Sequence, residues 1–449
     1  MKQFRVGQQI SLPIHGIGSS GEGVGYYEGY TVFVDGALPN EIVEVEFTEC
    51  QKRYGRATLK TITRPSPDRV KPPCPLFGKC GGCQLMHLSY SKQLEIKQQR
   101  VLDALKRIGK IDDVEVLACV PSPQELGYRN KIQLPVRKSN DGIALGLYAR
   151  ASHDLVEVES CYIHCPLGEE VYNVVRDIIK RSGIEAYDPL TGSGELRHVL
   201  IKSAVKTREV LVVLVTAGEC SEILLQIAKE IMGGCKDVKG VVHNIHSGRD
   251  NVILGNSYHV LEGSGYINET LCDLTFKVSP ASFFQVNPGQ AECLYSKALE
   301  FAALTGTETV LDAYCGVGTL SLLFAKKARS VIGVECVSEA IEDAKENAAL
   351  NEITNVTFVC ASSEVYIDTL KAVDVILLNP PRKGCEPAFL DGIGRLLPKA
   401  VVYISCDPAT LARDIAHLTT FGYTVDAIQP YDMFPQTAHV ECVAKLSRR

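Results

Sequence analysis

No stretch of this 449-residue chain holds about eighteen apolar residues in a row, the length at which a membrane-spanning helix becomes the natural reading. The opening Met1-Lys2-Gln3-Phe4-Arg5-Val6 also lacks the apolar core of a secretion signal. Both absences point to a cytoplasmic protein with no membrane partner. An overall positive charge is missing too: the net charge is −6, which argues against a uniformly basic nucleic-acid binder. What is there is globular, with 45% apolar and 22% charged residues and a length that implies about two to four domains. Seventeen cysteines, an odd number without a secretory signal, imply reduced thiols whose clusters serve metal or catalysis rather than disulfides.

Charge is distributed unevenly. Lys52, Arg53, Arg56, Lys60, Arg64, Arg69 and Lys71 face only Asp68 between residues 52 and 71, a local excess of six positive charges. Lys92, Lys97, Arg100, Lys106, Arg107 and Lys110 face only Glu95 and Asp103, on a segment where Leu94, Val101, Leu105 and Ile108 keep helical spacing until Gly109. The two runs are expected to form a phosphate-contacting face, although a solvated surface is the commoner fate of any one charge run.

Punctuation divides the chain into three regions. Residues 1–60 carry short alternating strands around Val32, Val34, Ile42, Val43, Val45 and Phe47, among glycines at 16, 18, 21, 23, 25, 29 and 36; this is the texture of a small, OB-like β-barrel. Pro65-Ser66-Pro67 and Lys71-Pro72-Pro73 read as a stiff linker. Residues 61–275 read as a central α+β domain, with helices predicted over 168–181 and 221–232 and a hairpin turning at Asn140-Asp141-Gly142. A helix over about 89–108 is expected to pack on the catalytic domain. From 276 to 449 strand and helix alternate, which predicts a doubly wound, Rossmann-like, mostly parallel sheet and an α/β fold class.

That last region carries the clearest cofactor signal. Thr309-Val310-Leu311-Asp312 reads as a buried first strand, and Ala313-Tyr314-Cys315-Gly316-Val317-Gly318-Thr319 as the turn into a helix near Leu320, with glycines that let backbone approach a ligand. Val331-Ile332-Gly333-Val334-Glu335 is a second strand whose final acid is placed to accept ribose hydroxyls. Enzymes using NAD share this logic, but a GxG loop without the third glycine tilts toward S-adenosylmethionine. A further strand, residues 374–378, delivers Asn379-Pro380-Pro381-Arg382 to the ligand-binding edge of the sheet.

Ser405-Cys406-Asp407-Pro408 lies about ninety residues beyond the loop. A lone cysteine is more often a small buried apolar residue, yet a thiolate beside a methyl donor is what methylation of a pyrimidine carbon requires. C5 of uracil becomes nucleophilic only after a soft nucleophile adds at C6. The Asn-Pro-Pro run opens a rival reading as an amino-group methyltransferase, whose tetrapeptide normally ends in an aromatic where this chain has Arg382. That rival leaves Cys406 unexplained. Upstream, Cys74, Cys80 and Cys83 offer three ligands on one glycine-rich loop, and bare spacing does not separate zinc from an iron–sulfur cluster. Cys161 and Cys165 are both available as a fourth ligand.

Ser282-Phe283-Phe284-Gln285-Val286-Asn287-Pro288, Asp312-Ala313-Tyr314-Cys315-Gly316, Asn379-Pro380-Pro381-Arg382, Ser405-Cys406-Asp407-Pro408 and Thr437-Ala438-His439-Val440-Glu441 together resemble the RNA 5-methyluridine methyltransferase family. The resemblance extends to Cys74-Pro75-Leu76-Phe77-Gly78-Lys79-Cys80-Gly81-Gly82-Cys83, similar to that family's iron–sulfur segment, and to the first sixty residues, similar to a TRAM domain. It implies Gln285, Tyr314, Glu335 and Asn379 lining the S-adenosylmethionine pocket, Cys406 as nucleophile and Glu441 as base. It also implies a [4Fe–4S] cluster on Cys74, Cys80, Cys83 and, by position, Cys161. The family usually has Asp where Asn379 stands, so a neutral amide able to accept and donate hydrogen bonds replaces a negative charge there. By resemblance the partner is RNA, with ribosomal RNA favoured over tRNA because a TRAM barrel is associated more with the bacterial 23S ribosomal RNA enzymes; a monomer is expected. The alternatives are a methyltransferase for tRNA uridine 54 and a non-catalytic RNA-binding metalloprotein.

Overall fold

The computed structural model describes residues 4–140, 142–250 and 252–448, so Asp141 of the expected hairpin turn and Met1-Lys2-Gln3 of the N-terminal reading lie outside the described residues. Alternation dictates the first unit. In β1 (Gln9–Ile17), Ile10, Leu12 and Ile14 point inward while their neighbours face solvent. With β2 (Gly23–Tyr27), β3 (Tyr30–Val34), β4 (Ile42–Cys50) and β5 (Tyr54–Arg64) it closes a barrel in the order β1-β2-β3-β5-β4, around fully buried Leu12, Val32, Val34, Val43 and Val45. Closure removes the exposed sheet edges that five short strands would otherwise leave.

The middle of the chain builds a seven-stranded sheet from β6 (Lys131–Ser139), β7 (Gly142–Tyr148), β8 (Leu155–Glu157), β9 (Leu196–Ala204), β10 (Glu209–Thr216), β11 (Val238–Ile245) and β12 (Ser257–Gly263), ordered β12-β11-β10-β9-β6-β7-β8. Two amphipathic helices bury their apolar faces on one side of it. Caps set their starts: Cys165 Sγ accepts from Gly168 N at 3.4 Å ahead of Pro166–Ser182, two residues before the predicted start, and Ser221 Oγ accepts from Leu224 N at 3.1 Å ahead of Glu222–Gly234, so the predicted first residue is the cap; the two helices end one and two residues later than predicted. On the other face lies the hairpin β13 (Ile267–Leu271) and β14 (Leu274–Val278), whose Ile267 and Val278 pack on Leu200, Leu211 and Val213.

Helix α1 (Tyr90–Ala104) belongs by packing to the last unit. Val101, Ala104 and Leu105 share a core with Leu411, Ala412 and Ile415. This removes two residues from the second basic run as a phosphate face, while Lys106, Arg107 and Lys110 stay exposed: Lys97 is 1% exposed and ion-paired with buried Asp432, and Arg100 Nη1 donates to the Ala438 carbonyl at 2.5 Å. A charge this deep needs a partner to offset its desolvation.

The last sheet contains β15 (Thr309–Asp312), β16 (Ser330–Glu335), β17 (Val356–Cys360), β18 (Val375–Leu378), β19 (Ala400–Ser405), β20 (Tyr423–Tyr431) and β21 (Glu441–Arg448), in the order β17-β16-β15-β18-β19-β21-β20. Six strands run in one direction and β21 alone is reversed, paired antiparallel with both β19 and β20. Covered on both faces, β18 and β19 are buried along their whole length, which is why their sequences are nearly continuous apolar runs. Among the described residues no helix is long and apolar enough to cross a membrane.

Candidate active site

Chain reversal at the carboxyl edge of the last sheet brings the chemistry together. Antiparallel pairing sets Ser405 opposite Cys442, so Cys406, the next residue after β19, and Glu441, the first residue of β21, lie at adjoining strand ends, near enough for the Glu441 charge to act on the thiol. Asp407 fixes the turn: its carboxylate caps the helix Pro408–Thr419 by accepting from Ala409 N at 2.7 Å, while its own N–H donates to Ser405 Oγ at 3.2 Å. Cys406 is half-buried, and its thiol is pushed up to about 11, first by burial and then by the nearby negative charge of Glu441. Glu441 is 6% exposed and its carboxyl is raised to about 7 by burial. Arg382, exposed at the end of the Asn-Pro-Pro run, opposes both shifts by favouring the charged forms.

The cofactor side is equally local. Gly318 has φ +83 and starts the helix Thr319–Ala325; a Cβ there would stand 2.9 Å from the Phe358 ring. At Gly316 a Cβ would meet nothing within 4 Å, so the loop is open on that side. Glu335 is held at the end of β16, accepting from Cys336 N at 2.8 Å, Val337 N at 3.0 Å and Gly316 N at 3.3 Å. Asp312 is fully buried; Oδ2 accepts from Ser321 Oγ at 2.6 Å and Oδ1 has no partner among the described residues. Burial raises its carboxyl to about 6. An orphaned buried oxygen beside an open glycine loop fits a ligand with donors to offer, such as the amino acid or ribose portion of S-adenosylmethionine.

Gln285 is buried in a loop tied from two directions: Lys202 of β9 donates to the Ser279 and Ser282 carbonyls at 2.8 Å each, and Ser282 Oγ donates to Asp343 at 2.8 Å. Gln285 lies near Tyr295, whose hydroxyl is raised above the ordinary tyrosine range chiefly by burial, with smaller contributions from the charges of Glu441 and Asp312. Tyr314 directs its hydroxyl to Cys385 and lies edge-on to Phe389 at 5.8 Å, with burial raising it above the ordinary tyrosine range. Asn379 is half-buried just past β18 and makes no hydrogen bond among the described residues. Sequence reasoning missed Asp312 as a site residue, treated Arg382 only as a departure from a rival motif, and passed over Phe283, which is 68% exposed two residues before Gln285.

Cys74, Cys80, Cys83 and Cys161 line one small cavity of about 30 Å³ with Phe77, Met86 and other apolar residues. They lie near enough for the charges of Cys161, Cys80 and Cys74 to raise Cys83, after burial as the larger cause. Cys165 is elsewhere, capping its helix. Among the described residues no three His, Cys, Asp or Glu groups converge as ligands of one metal ion; the four sulfurs surround a space instead.

Residues 89–449 match the tRNA (Uracil-5-)-methyltransferase family, and residues 3–60 match the TRAM domain. An uncharacterized RNA methyltransferase of Clostridium tetani is 42% identical over 437 residues, covering 96% of this chain and 95% of its own. Another from Caldanaerobacter subterraneus subsp. tengcongensis is 43% identical over 456 residues, covering 100% of each chain. Among solved structures, the Pyrococcus abyssi tRNA (uracil-54, C5)-methyltransferase in complex with S-adenosyl-L-homocysteine aligns with a TM-score of 0.77 at 30% identity, over 97% of this chain and 99% of that one.

Proposed function

The chain belongs to the tRNA (uracil-5-)-methyltransferase family, and we propose that it transfers the methyl group of S-adenosylmethionine to C5 of a specific uridine in RNA through a covalent bond from Cys406. The meeting of Cys406 and Glu441 at the adjoining ends of β19 and β21, near enough for the carboxylate's charge to act on the thiol, carries this reading. Cys406 gives up its thiol proton to solvent and bonds C6, so that C5 becomes an enolate carbon and takes the methyl group, leaving S-adenosylhomocysteine. Glu441 then removes the C5 proton, the C5–C6 double bond re-forms, and the C6–S bond breaks to return the thiolate. Arg382 steadies both anionic forms. Gln285, Glu335 and Asn379 face the cofactor, with Tyr314 supporting the same loop. An extruded base is required for Cys406 to reach C6, so a loop or unpaired uridine is the target.

Cys74, Cys80, Cys83 and Cys161, which line one cavity, are the residues that would hold a [4Fe–4S] cluster, the group that their likeness to the family's iron–sulfur segment implies. Its part is structural, and no step of the methyl transfer runs through it. Large-subunit ribosomal RNA is the proposed substrate. Uridine 54 of tRNA is the second reading, favoured by the alignment of a tRNA enzyme over 97% of this chain, barrel included. The test offers unmodified transcripts of both RNAs with labelled donor to the native protein and to Cys406→Ala. Only the native protein should label RNA, while S-adenosylhomocysteine binds both equally; turnover by Cys406→Ala would end the covalent mechanism, and preferential labelling of tRNA would transfer the substrate.

A further inference from the structure

Glu441 is reached through residues 435–440, and this loop is held from outside its own sheet. Gln436 has φ +69, a left-handed backbone that a residue with a Cβ adopts only when its surroundings enforce it. Its carbonyl accepts from both Gln84 N and Leu85 N at 2.9 Å, the two residues that follow Cys83. Its side chain and backbone trade bonds with buried Gln93: Gln93 Nε2 donates to Gln436 Oε1 at 3.0 Å, and Gln436 N donates to Gln93 Oε1 at 3.1 Å. Next to it, the Tyr128 hydroxyl donates to the Pro435 carbonyl at 3.0 Å, while the Tyr128 ring packs with Met86 and Ile163 against Cys83 and Cys161. The barrel closes the contact: a Cβ at Gly21, φ +86, would stand 2.6 Å from Gln84 Cβ and 3.7 Å from Ala438 Cβ.

We propose that the cysteine segment positions the catalytic base, with Gln436 as the positioning residue through which residues 83–85 and Tyr128 hold the loop that delivers Glu441. The inference rests on the reading of Glu441 as base. Loosening the segment lets Gln436 relax toward ordinary backbone and draws the carboxylate off the C5 proton, a displacement to which proton abstraction is far more sensitive than cofactor binding.

Three variants test it: Tyr128→Phe removes one donor and keeps the ring, Gln93→Ala removes the side-chain exchange, and Cys83→Ser loosens the segment at its source. Each should bind S-adenosylhomocysteine within about twofold of the native protein and show faster deuterium uptake over residues 433–441, with residues 312–319 unchanged. Tyr128→Phe and Gln93→Ala should slow release about tenfold and accumulate a methylated RNA–protein adduct on a denaturing gel, which general destabilisation would not produce. If Glu441→Gln traps that adduct while neither variant does and their exchange stays native, the inference is overturned and the base assignment stands. If Glu441→Gln itself releases product freely, both fall.

Discussion

Glu441 holds its proton to about pH 7 because burial disfavours the carboxylate, and only the ionised form abstracts a proton. The active fraction therefore climbs from roughly a tenth at pH 6 to nine-tenths at pH 8, and single-turnover release of product should rise across that window. A profile flat from pH 6 to 8 would remove Glu441 from the base role. The thiol, near 11, keeps adduct formation rising beyond pH 8. The same carboxyl lowers stability as pH rises from about 4.5 to 7, since the folded chain retains a proton there that the unfolded chain has lost. Replacing Arg382 by Ala withdraws the cation that opposes both shifts, so the pH limb should move alkaline by up to about one unit; an unmoved limb would show that exposure screens the guanidinium out. Cys406 and Glu441 could be singled out as the proposed nucleophile and base because each sits in a short run of its own. Arg382 was not, because its contribution is a field across space and leaves no spacing in the chain.

At the scale of elements, the turn after β15 depends on two glycines that sit against one aromatic ring. A Cβ at Gly318 would lie 2.9 Å from Phe358 Cζ and one at Gly333 would lie 2.7 Å from Phe358 Cδ1, and Gly318 also needs its positive φ. Gly318→Ala should cost about 1–3 kcal/mol of stability and weaken S-adenosylhomocysteine binding; a thermal melt and a titration check both. Strands and helices of this region were readable from buried runs and caps. The loop 279–287 was readable only as a motif, because the reason for its shape is Lys202, on a strand of a different sheet.

For the whole molecule, the basic run from Lys52 to Lys71 is partly spent internally: Arg56, Lys60 and Arg69 pair with Glu22, Glu46 and Glu41. Among the described residues Lys52, Arg53, Arg64 and Lys71 have no ion-pair partner, and they remain for phosphate. Changing those four to Gln should flatten the dependence of log affinity on log salt by roughly 3 without altering cofactor binding; an unchanged slope would place RNA on another face. A sequence displays how many charges a segment has and conceals which are consumed by partners hundreds of residues away, as Lys97 is by Asp432.

β21 comes last along the described chain yet lies inside the sheet, between β19 and β20. On the ribosome, the thiol and the glycine loop therefore emerge before the carboxylate, and β19 has an open edge until the final strand slides in. A chain stalled short of residue 441 would carry the group that captures a pyrimidine without the group that lets it go. Because insertion of that strand both seals the sheet and brings in Glu441, closing the edge of β19 and completing the proposed site are one event.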